Sequence, residues 1–183
     1  MKTESNVMFI LRLAGTLLLI TAVVASLLAG VNMVTAPIIA QLKAEKTQKA
    51  IEAVLPGGGE EIAFTDSTGL VSTVYASDKG YAVQVNPAGF GGTVSMMVGI
   101  DTEGKVLGIS IISHTETAGL GDVAAAKTSA GEAFRGQFVG ASGSVGTSKR
   151  GTGSLDAITG ATITSEAICV GVNAALECVK NLG

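Results

Sequence analysis

The chain has 183 residues, of which 47% are hydrophobic and 15% are charged, and its formal net charge is −3. This length fits one domain of ordinary size with a short appendage, and the high apolar content indicates a membrane segment beside a soluble domain. The weakly acidic balance, the lack of a basic run and the absence of Trp argue against a nucleic-acid-binding surface, so no nucleic-acid partner is expected.

The first element is an apolar run near the N-terminus. Residues 13–42 contain no charged side chain, and such a run is long enough to cross about 30 Å of hydrocarbon. We assign residues 1–12 to an N-terminal tail and residues 13–36 to a transmembrane helix. Because the run exceeds the roughly 7–15 residue core of a signal peptide, we expect an uncleaved anchor, with a cleaved signal as the alternative. Lysine and arginine counts on the two flanks slightly favour a cytoplasmic C-terminal side, without settling the topology.

Residues 37–61 are predicted to form a stalk helix and a linker. Pro37 fits the first turn of a helix, and the sequence PGGG at 56–59 is typical of a helix end. The alternative is that this segment continues the transmembrane helix.

Residues 62–183 are predicted to form an α+β domain with an antiparallel sheet and flanking helices. Two alternating runs at 93–100 and 105–112 are joined by a glycine-containing turn, which predicts a β-hairpin. A further strand is predicted at 80–86. Met96 and Met97 alternate on the first hairpin strand, so one of them is expected in the core.

The second half of this domain is predicted to be helical around a loop. Short helices are expected at 123–130 and 131–138, and the Gly/Ser/Thr-rich segment 140–153 is expected to be a loop. The last helix is predicted at 166–182, with an apolar stripe formed by Ile168, Val172, Leu176 and Val179.

The two cysteines, Cys169 and Cys178, are interpreted as small buried apolar residues. They lie nine residues apart in the predicted last helix, or roughly 13 Å along its axis, so a disulfide cannot join them. With one histidine and no CxxC pair in the chain, no zinc or iron–sulfur site is expected.

The segment 156–165, with the sequence DAITGATITS, is the strongest candidate for chemistry. Its small residues allow a ligand to approach the backbone, and its hydroxyl side chains precede a helix whose N-terminus favours an anion such as phosphate. The alternative is an ordinary helix cap formed by Thr164 or Ser165.

The sequence DAITGAT at 156–162 resembles the flavinylation motif D-x-x-[ST]-G-A-T of the FMN-binding domain family. The segment HTETAGLG at 114–121 is similar to that family's H-x-E-T-P-G-L-G loop, with Ala118 in place of proline, and FRGQF at 134–138 resembles a weaker third block. The resemblance implies that a flavin transferase attaches FMN through a phosphoester to the last threonine of the motif, Thr162.

The resemblance also implies a cofactor site made of two segments. The residues expected to form it are Asp156, Thr159, Gly160, Ala161, Thr162, Thr164 and Ser165 in the motif and His114, Glu116, Thr117, Leu120 and Gly121 in the loop.

Four side chains near these segments allow two interpretations each. Asp156 could orient the Thr162 hydroxyl or be a turn residue. His114 could carry protons near the flavin or be structural. Lys149 and Arg150 could pair with the phosphate or be solvated loop charges.

The length and the single anchor resemble the G subunits of ion-translocating ferredoxin:NAD oxidoreductase complexes of the Rnf type, whereas the related C subunit of the sodium-pumping quinone reductase is longer. The resemblance implies an electron-transfer subunit of a translocase, without independent catalysis, that relays electrons between the ferredoxin and NAD branches. Its implied partners are integral membrane and iron–sulfur or flavin subunits, a flavin transferase during maturation, and membrane lipid, with the FMN domain on the outer face of the cytoplasmic membrane. The alternatives are an FMN domain serving another reductase and a non-redox module for a phosphate ligand.

Overall fold

The computed structural model describes residues 3–148 and 153–182, and side chains from Val7 onward. The chain forms two compact units, Met1–Glu45 and Lys46–Gly183.

The first unit consists of most of helix α1, which runs from Thr3 to Val54. Its apolar side chains are exposed, as expected of a helix whose surroundings are lipid. The hydroxyls of Thr16, Thr21, Ser26 and Thr35 donate to carbonyls of the preceding turn at 2.7–3.0 Å. These bonds satisfy the four hydroxyl groups within the helix itself, as suits an apolar environment. The helix is therefore suited to membrane anchoring.

The expected helix start at Pro37 is wrong, because Pro37 lies inside the continuous helix α1. A proline removes one backbone hydrogen bond from a helix, yet α1 continues without a break through Pro37. Residues 37–61 were predicted to be a stalk and linker. In the structure, residues from 46 onward belong to the same compact unit as the sheet.

The second unit is built on a five-stranded antiparallel sheet in which sequential strands are neighbours. The strands are β1 (Glu60–Ile62), β2 (Val71–Ser77), β3 (Gly80–Val85), β4 (Ser95–Asp101) and β5 (Val106–Ser113). The predicted hairpin is confirmed as β4 and β5, which are joined by a turn with Gly104 at φ +80°. Strands β1 and β2 were not predicted, because β1 is very short and β2 lacks a clean alternation of buried and exposed residues.

Both faces of the sheet are covered, and the two neighbouring methionines show this. Met96 packs in a cluster with Ile168 and Val172 of the last helix, whereas Met97 packs with Ile51 and Val54 at the end of α1 and with the next residue, Leu55. Both methionines are fully buried, so the expectation that one of them is core understated the packing. A strand with opposite faces covered by different helices buries consecutive residues.

Two further helices complete the second unit. A short 3₁₀ turn at Gly121–Ala124 precedes α2 (Ser129–Gly136), and α3 runs from Thr162 to Lys180. The helix predicted at 123–130 is wrong, because residues 125–128 are not helical and only the 3₁₀ turn precedes them. The helix predicted at 131–138 corresponds to α2, which begins earlier because the Thr128 side chain caps it by accepting from the Gly131 amide. Cys169 and Cys178 are free and buried, as predicted.

Helix α3 is long and apolar enough to cross a membrane, but much of it is buried in the core of the second unit. Its residue Gly171 allows close packing, because a Cβ there would lie 2.4 Å from Met96 Cε. The core therefore fixes α3, and with it the N-terminus of α3, against the sheet.

Candidate functional site

A cleft of about 360 Å³ lies where the N-terminus of α3 meets the loop that follows β5. A volume of this size is within the range of small-molecule sites. The cleft brings together eight of the predicted site residues, which are Glu116, Thr117, Leu120, Gly121, Gly160, Ala161, Thr162 and Thr164. It also includes two residues that sequence analysis missed, Phe90 and Ile163. The two segments that the sequence singled out, although distant along the chain, thus line one cleft.

The motif forms a turn that leads directly into α3. Gly160 has φ +79°, which favours glycine, and the Ala161 amide donates to the Ile158 carbonyl at 2.9 Å. Ala161 holds the N-cap position and has no side-chain acceptor, and no side-chain cap bonds this helix end. The first amides of α3 therefore remain available at the cleft, where they and the helix dipole favour an anion.

The hydroxyl side chains of the motif differ in their surroundings. Thr164 is buried and donates to Glu116 Oε2 at 2.5 Å. Ser165 is also buried; it donates to the Ala161 carbonyl at 2.9 Å and accepts from the Ile158 amide at 3.0 Å. Thr159 is exposed and does not line the cleft.

Thr162 is the remaining hydroxyl of the motif. It is the first residue of α3, is half-buried and lines the cleft. Among the residues that the structure describes, none forms a hydrogen bond with the Thr162 hydroxyl. Thr162 therefore combines access to the cleft with a free oxygen.

Glu116 connects three segments of the site. Its Oε2 accepts from the Thr164 hydroxyl, and its Oε1 accepts from the Gly91 amide at 3.1 Å. Hydrogen bonds to a carboxylate are stronger than those between neutral groups. Glu116 thus holds the start of α3 and the turn at 88–93 to the loop that follows β5.

Gly121 is required by this arrangement. A Cβ on Gly121 would lie 2.6 Å from Glu116 Oε2 and 2.7 Å from Thr164 Oγ1. The absence of a side chain at Gly121 therefore lets the Glu116–Thr164 hydrogen bond form. A Cβ on Gly160 would lie 2.9 Å from Leu120 Cδ2, so a second glycine lets Leu120 approach the motif.

Phe90 stands at the edge of the cleft on a turn between β3 and β4. The turn is closed by a bridge between Ala88 and Thr93 and contains three glycines. The signal that could have revealed Phe90 is the sequence AGFGG at 88–92, in which an aromatic residue is surrounded by small residues. Ile163 is exposed on α3 beside Thr162, where the apolar stripe of the helix does not include it.

Other predicted residues lie outside the cleft. His114 is half-buried, and its Nδ1 accepts from the Glu116 amide at 3.3 Å, which supports the loop. The backbone of Asp156 is held by Gln137, whose Oε1 accepts from the Asp156 amide at 2.7 Å and whose Nε2 donates to the Asp156 carbonyl at 3.2 Å. Lys149 and Arg150 lie outside the described residues.

A larger groove of about 730 Å³ borders the other end of α3, near Leu176 and Lys180. It contains none of the motif or loop residues, so its size does not make it the better candidate. Among the described residues there is no group of three or more His, Cys, Asp and Glu side chains able to hold a metal ion.

Comparison with known proteins places residues 89–177 in the family of FMN-binding domains. The chain is 32% identical to the G subunit of the Na⁺-translocating ferredoxin:NAD⁺ oxidoreductase complex of Acetobacterium woodii, over 99% of this chain and 97% of that protein. It is 35% identical to the G subunit of the proton-translocating ferredoxin:NAD⁺ oxidoreductase complex of Clostridium ljungdahlii, over 82% and 81% of the two chains. It is 29% identical to the G subunit of the ion-translocating oxidoreductase complex of Methanosarcina acetivorans, over 90% and 92%. The cleft and these similarities together lead to one conclusion: the chain belongs to the family of G subunits of ion-translocating oxidoreductase complexes, and it carries an FMN-binding domain behind an N-terminal apolar helix.

Proposed function

We propose that this chain carries FMN joined through its phosphate to Thr162 and relays electrons between the ferredoxin and NAD branches of an ion-translocating oxidoreductase complex. The observation that carries the proposal is the position of Thr162. Its hydroxyl is free, lines the cleft and stands at the N-terminus of α3, whereas Thr164 and Ser165 are buried and hydrogen-bonded.

The residues of the cleft fit FMN in two ways. The uncapped amides at the start of α3 suit phosphate oxygens, and the small residues Gly160 and Ala161 leave the backbone accessible. In the same cleft, Leu120 and Ile163 offer apolar surface for the flat ring system.

The attachment reaction is a phosphoryl-group transfer without a redox change. The Thr162 oxygen forms a bond to the flavin-side phosphorus of FAD, the bond from that phosphorus to the AMP part breaks, and AMP and the hydroxyl proton leave. A flavin transferase that brings FAD is the required partner. The start of α3 supports this step because its dipole stabilises negative charge at the phosphate.

Bound FMN supplies the ability to accept and release electrons. The chain's own residues contribute position and environment. The ester to Thr162 fixes the phosphate, and the Glu116 network fixes the loop that lines the cleft. Leu120 and Ile163 add apolar side chains to the lining of the cleft. This division suits a relay, which must hold its cofactor through many electron transfers.

We further propose that residues 13–36 anchor the chain once in the cytoplasmic membrane, with the FMN domain on the outer face. The charge-free apolar run in α1 supports the anchor. The outer position and the partners, which are membrane and iron–sulfur or flavin subunits, follow from the resemblance to the G subunits. A reporter enzyme that is active only outside the cytoplasm, fused after Gly183, should be active, and activity of a cytoplasm-specific reporter would contradict this topology.

The test of attachment is the mass of the full chain purified from its native membrane. We expect one added group of about 438 Da, which is FMN less one water, and a fluorescent band after denaturing electrophoresis. Thr162→Ala should lose both signals, whereas the matched control Thr102→Ala, at an exposed hydroxyl outside both the motif and the cleft, should keep them. Fluorescence that persists in Thr162→Ala would show that another residue is the attachment site, and a wild-type chain without added mass would refute the covalent flavin.

A further inference from the structure

Phe90 is the most exposed large apolar side chain in the described part of the second unit, at 69%. Burying a phenylalanine side chain stabilises a folded protein, so this exposure forgoes stability. The neighbouring apolar residues of the cleft, Leu120 and Ile163, are also partly exposed, at 42% and 49%. All three line the same cleft, so the exposed apolar surface is concentrated where the cofactor is proposed to bind.

The turn that carries Phe90 is held firmly. The Gly91 amide donates to Glu116 Oε1 at 3.1 Å, and the Thr115 hydroxyl donates to the Gly91 carbonyl at 2.9 Å. Within the turn, the Gly89 amide donates to the Gly92 carbonyl at 2.8 Å. These three bonds fix the backbone on both sides of Phe90.

The glycines of the turn bring it close to the loop that follows β5. A Cβ on Gly89 would lie 2.2 Å from Glu116 Oε1, and a Cβ on Gly91 would lie 2.2 Å from the Thr115 carbonyl oxygen. The backbone at Phe90 is therefore fixed against the same carboxylate that holds Thr164 at the start of α3. One network thus sets the position of Phe90 relative to the proposed attachment residue.

We propose that Phe90 contacts the flavin ring directly and covers part of it from water. This inference rests on the proposed function, because only FMN joined to Thr162 would place the flavin ring in the cleft beside Phe90. An aromatic side chain presents a flat, rigid apolar face that packs well on another flat ring. Covering the ring lowers the local dielectric constant, which strengthens the effect of nearby charges and dipoles on the flavin.

The test uses the full-length chain with its flavin, in mild detergent. Phe90→Ala should keep the added FMN mass but increase quenching of flavin fluorescence by iodide by about twofold or more, because one wall of the cleft is lost. Val139→Ala is the matched control, since Val139 is 57% exposed and does not line the cleft. An unchanged quenching constant in Phe90→Ala would overturn the proposal.

A second variant keeps the test informative if the first one disturbs the fold. The chain has no Trp, so Phe90→Trp introduces a single indole, which should quench the flavin emission of the folded protein by about twofold or more on direct ring contact. Val139→Trp should leave that emission unchanged, and equal emission in the two variants would overturn the proposal. If the wild-type chain carries no FMN, the proposed function fails; if it carries FMN and the Phe90 variants behave like the controls, only this inference fails.

Discussion

Replacement of Gly121 by alanine should destabilise the FMN-binding domain by breaking one hydrogen bond. The added Cβ would lie 2.6 Å from Glu116 Oε2 and 2.7 Å from Thr164 Oγ1, which is too close for either contact. The hydroxyl and the carboxylate must then separate from their 2.5 Å hydrogen bond. Because Thr164 is buried, water cannot fully replace the lost partner.

The size of the effect follows from the type of bond. A hydrogen bond to a charged group contributes about 1.5–3 kcal/mol, so we expect the free energy of unfolding to fall by about 2 kcal/mol. For a domain of this size the midpoint of thermal unfolding should fall by roughly 6–10 °C. Gly136→Ala is the matched control, because a Cβ on Gly136 meets nothing within 4 Å and Gly136 lies in α2. Alanine in a helix should leave stability unchanged or slightly higher.

The assay is thermal unfolding of the full-length chain in detergent, followed by circular dichroism. A double-mutant cycle with Thr164→Ala identifies the cause, because Gly121→Ala should cost less once the hydroxyl is gone. Equal midpoints for Gly121→Ala and Gly136→Ala would refute the reasoning. An undiminished cost of Gly121→Ala in the Thr164→Ala background would show that the clash with Thr164 is not the source.

Three further expectations concern the Glu116 hydrogen bonds, the packing of the end of α1 against the sheet, and the buried thiol of Cys169. Glu116→Ala should lower the free energy of unfolding by about 3 kcal/mol, because it removes both carboxylate oxygens that accept hydrogen bonds from Gly91 and Thr164. In the same unfolding assay, Glu116→Gln should cost less than half as much. Equal costs for the two variants would contradict the role of the two oxygens. Gly99→Ala should lower the free energy of unfolding by about 2 kcal/mol, because the added Cβ would lie 2.4 Å from the Val54 carbonyl oxygen. The same clash should loosen the end of α1 and speed its cleavage by trypsin. An unchanged cleavage rate would refute this reasoning. Burial, and secondly the charge of Glu166, raise the pKa of Cys169 from 9.0 to about 11. The unfolded chain then ionises first, so the free energy of unfolding should fall by up to about 2–3 kcal/mol as pH rises from 9 to 11. Cys169→Ala should lack that part of the pH dependence, and an unchanged slope would contradict it.

The second half of the domain shows where sequence patterns suffice and where they do not. The β4–β5 hairpin and α3 were predictable because each buries residues at the period of its own geometry, two for the strands and 3.6 for the helix. Strand β1 has only three residues and no pattern of its own, and it exists through pairing with β2. Pro37 indicated a helix start, but the rest of α1 continues through it. The burial of both Met96 and Met97 depends on two helices distant in sequence that pack on opposite faces of the sheet.

The sequence by itself determined the charge-free anchor run, the α+β character of the domain and the two segments that form the cleft. The anchor run and the hydroxyl-rich motif are local properties, namely hydropathy over about 20 residues and hydroxyl side chains near a helix N-terminus, whereas the loop at 114–121 was identified by its resemblance to the FMN-binding domain family. Only the tertiary structure decided which hydroxyl is free, because burial and the Glu116 carboxylate engage Thr164 while Thr162 remains open to the cleft. It also brought Phe90 to the cleft through bonds from Thr115 and Glu116. Such contacts join residues about 25 positions apart or more, and no local pattern specifies them, because they arise only when the core fixes the strands and α3 in place.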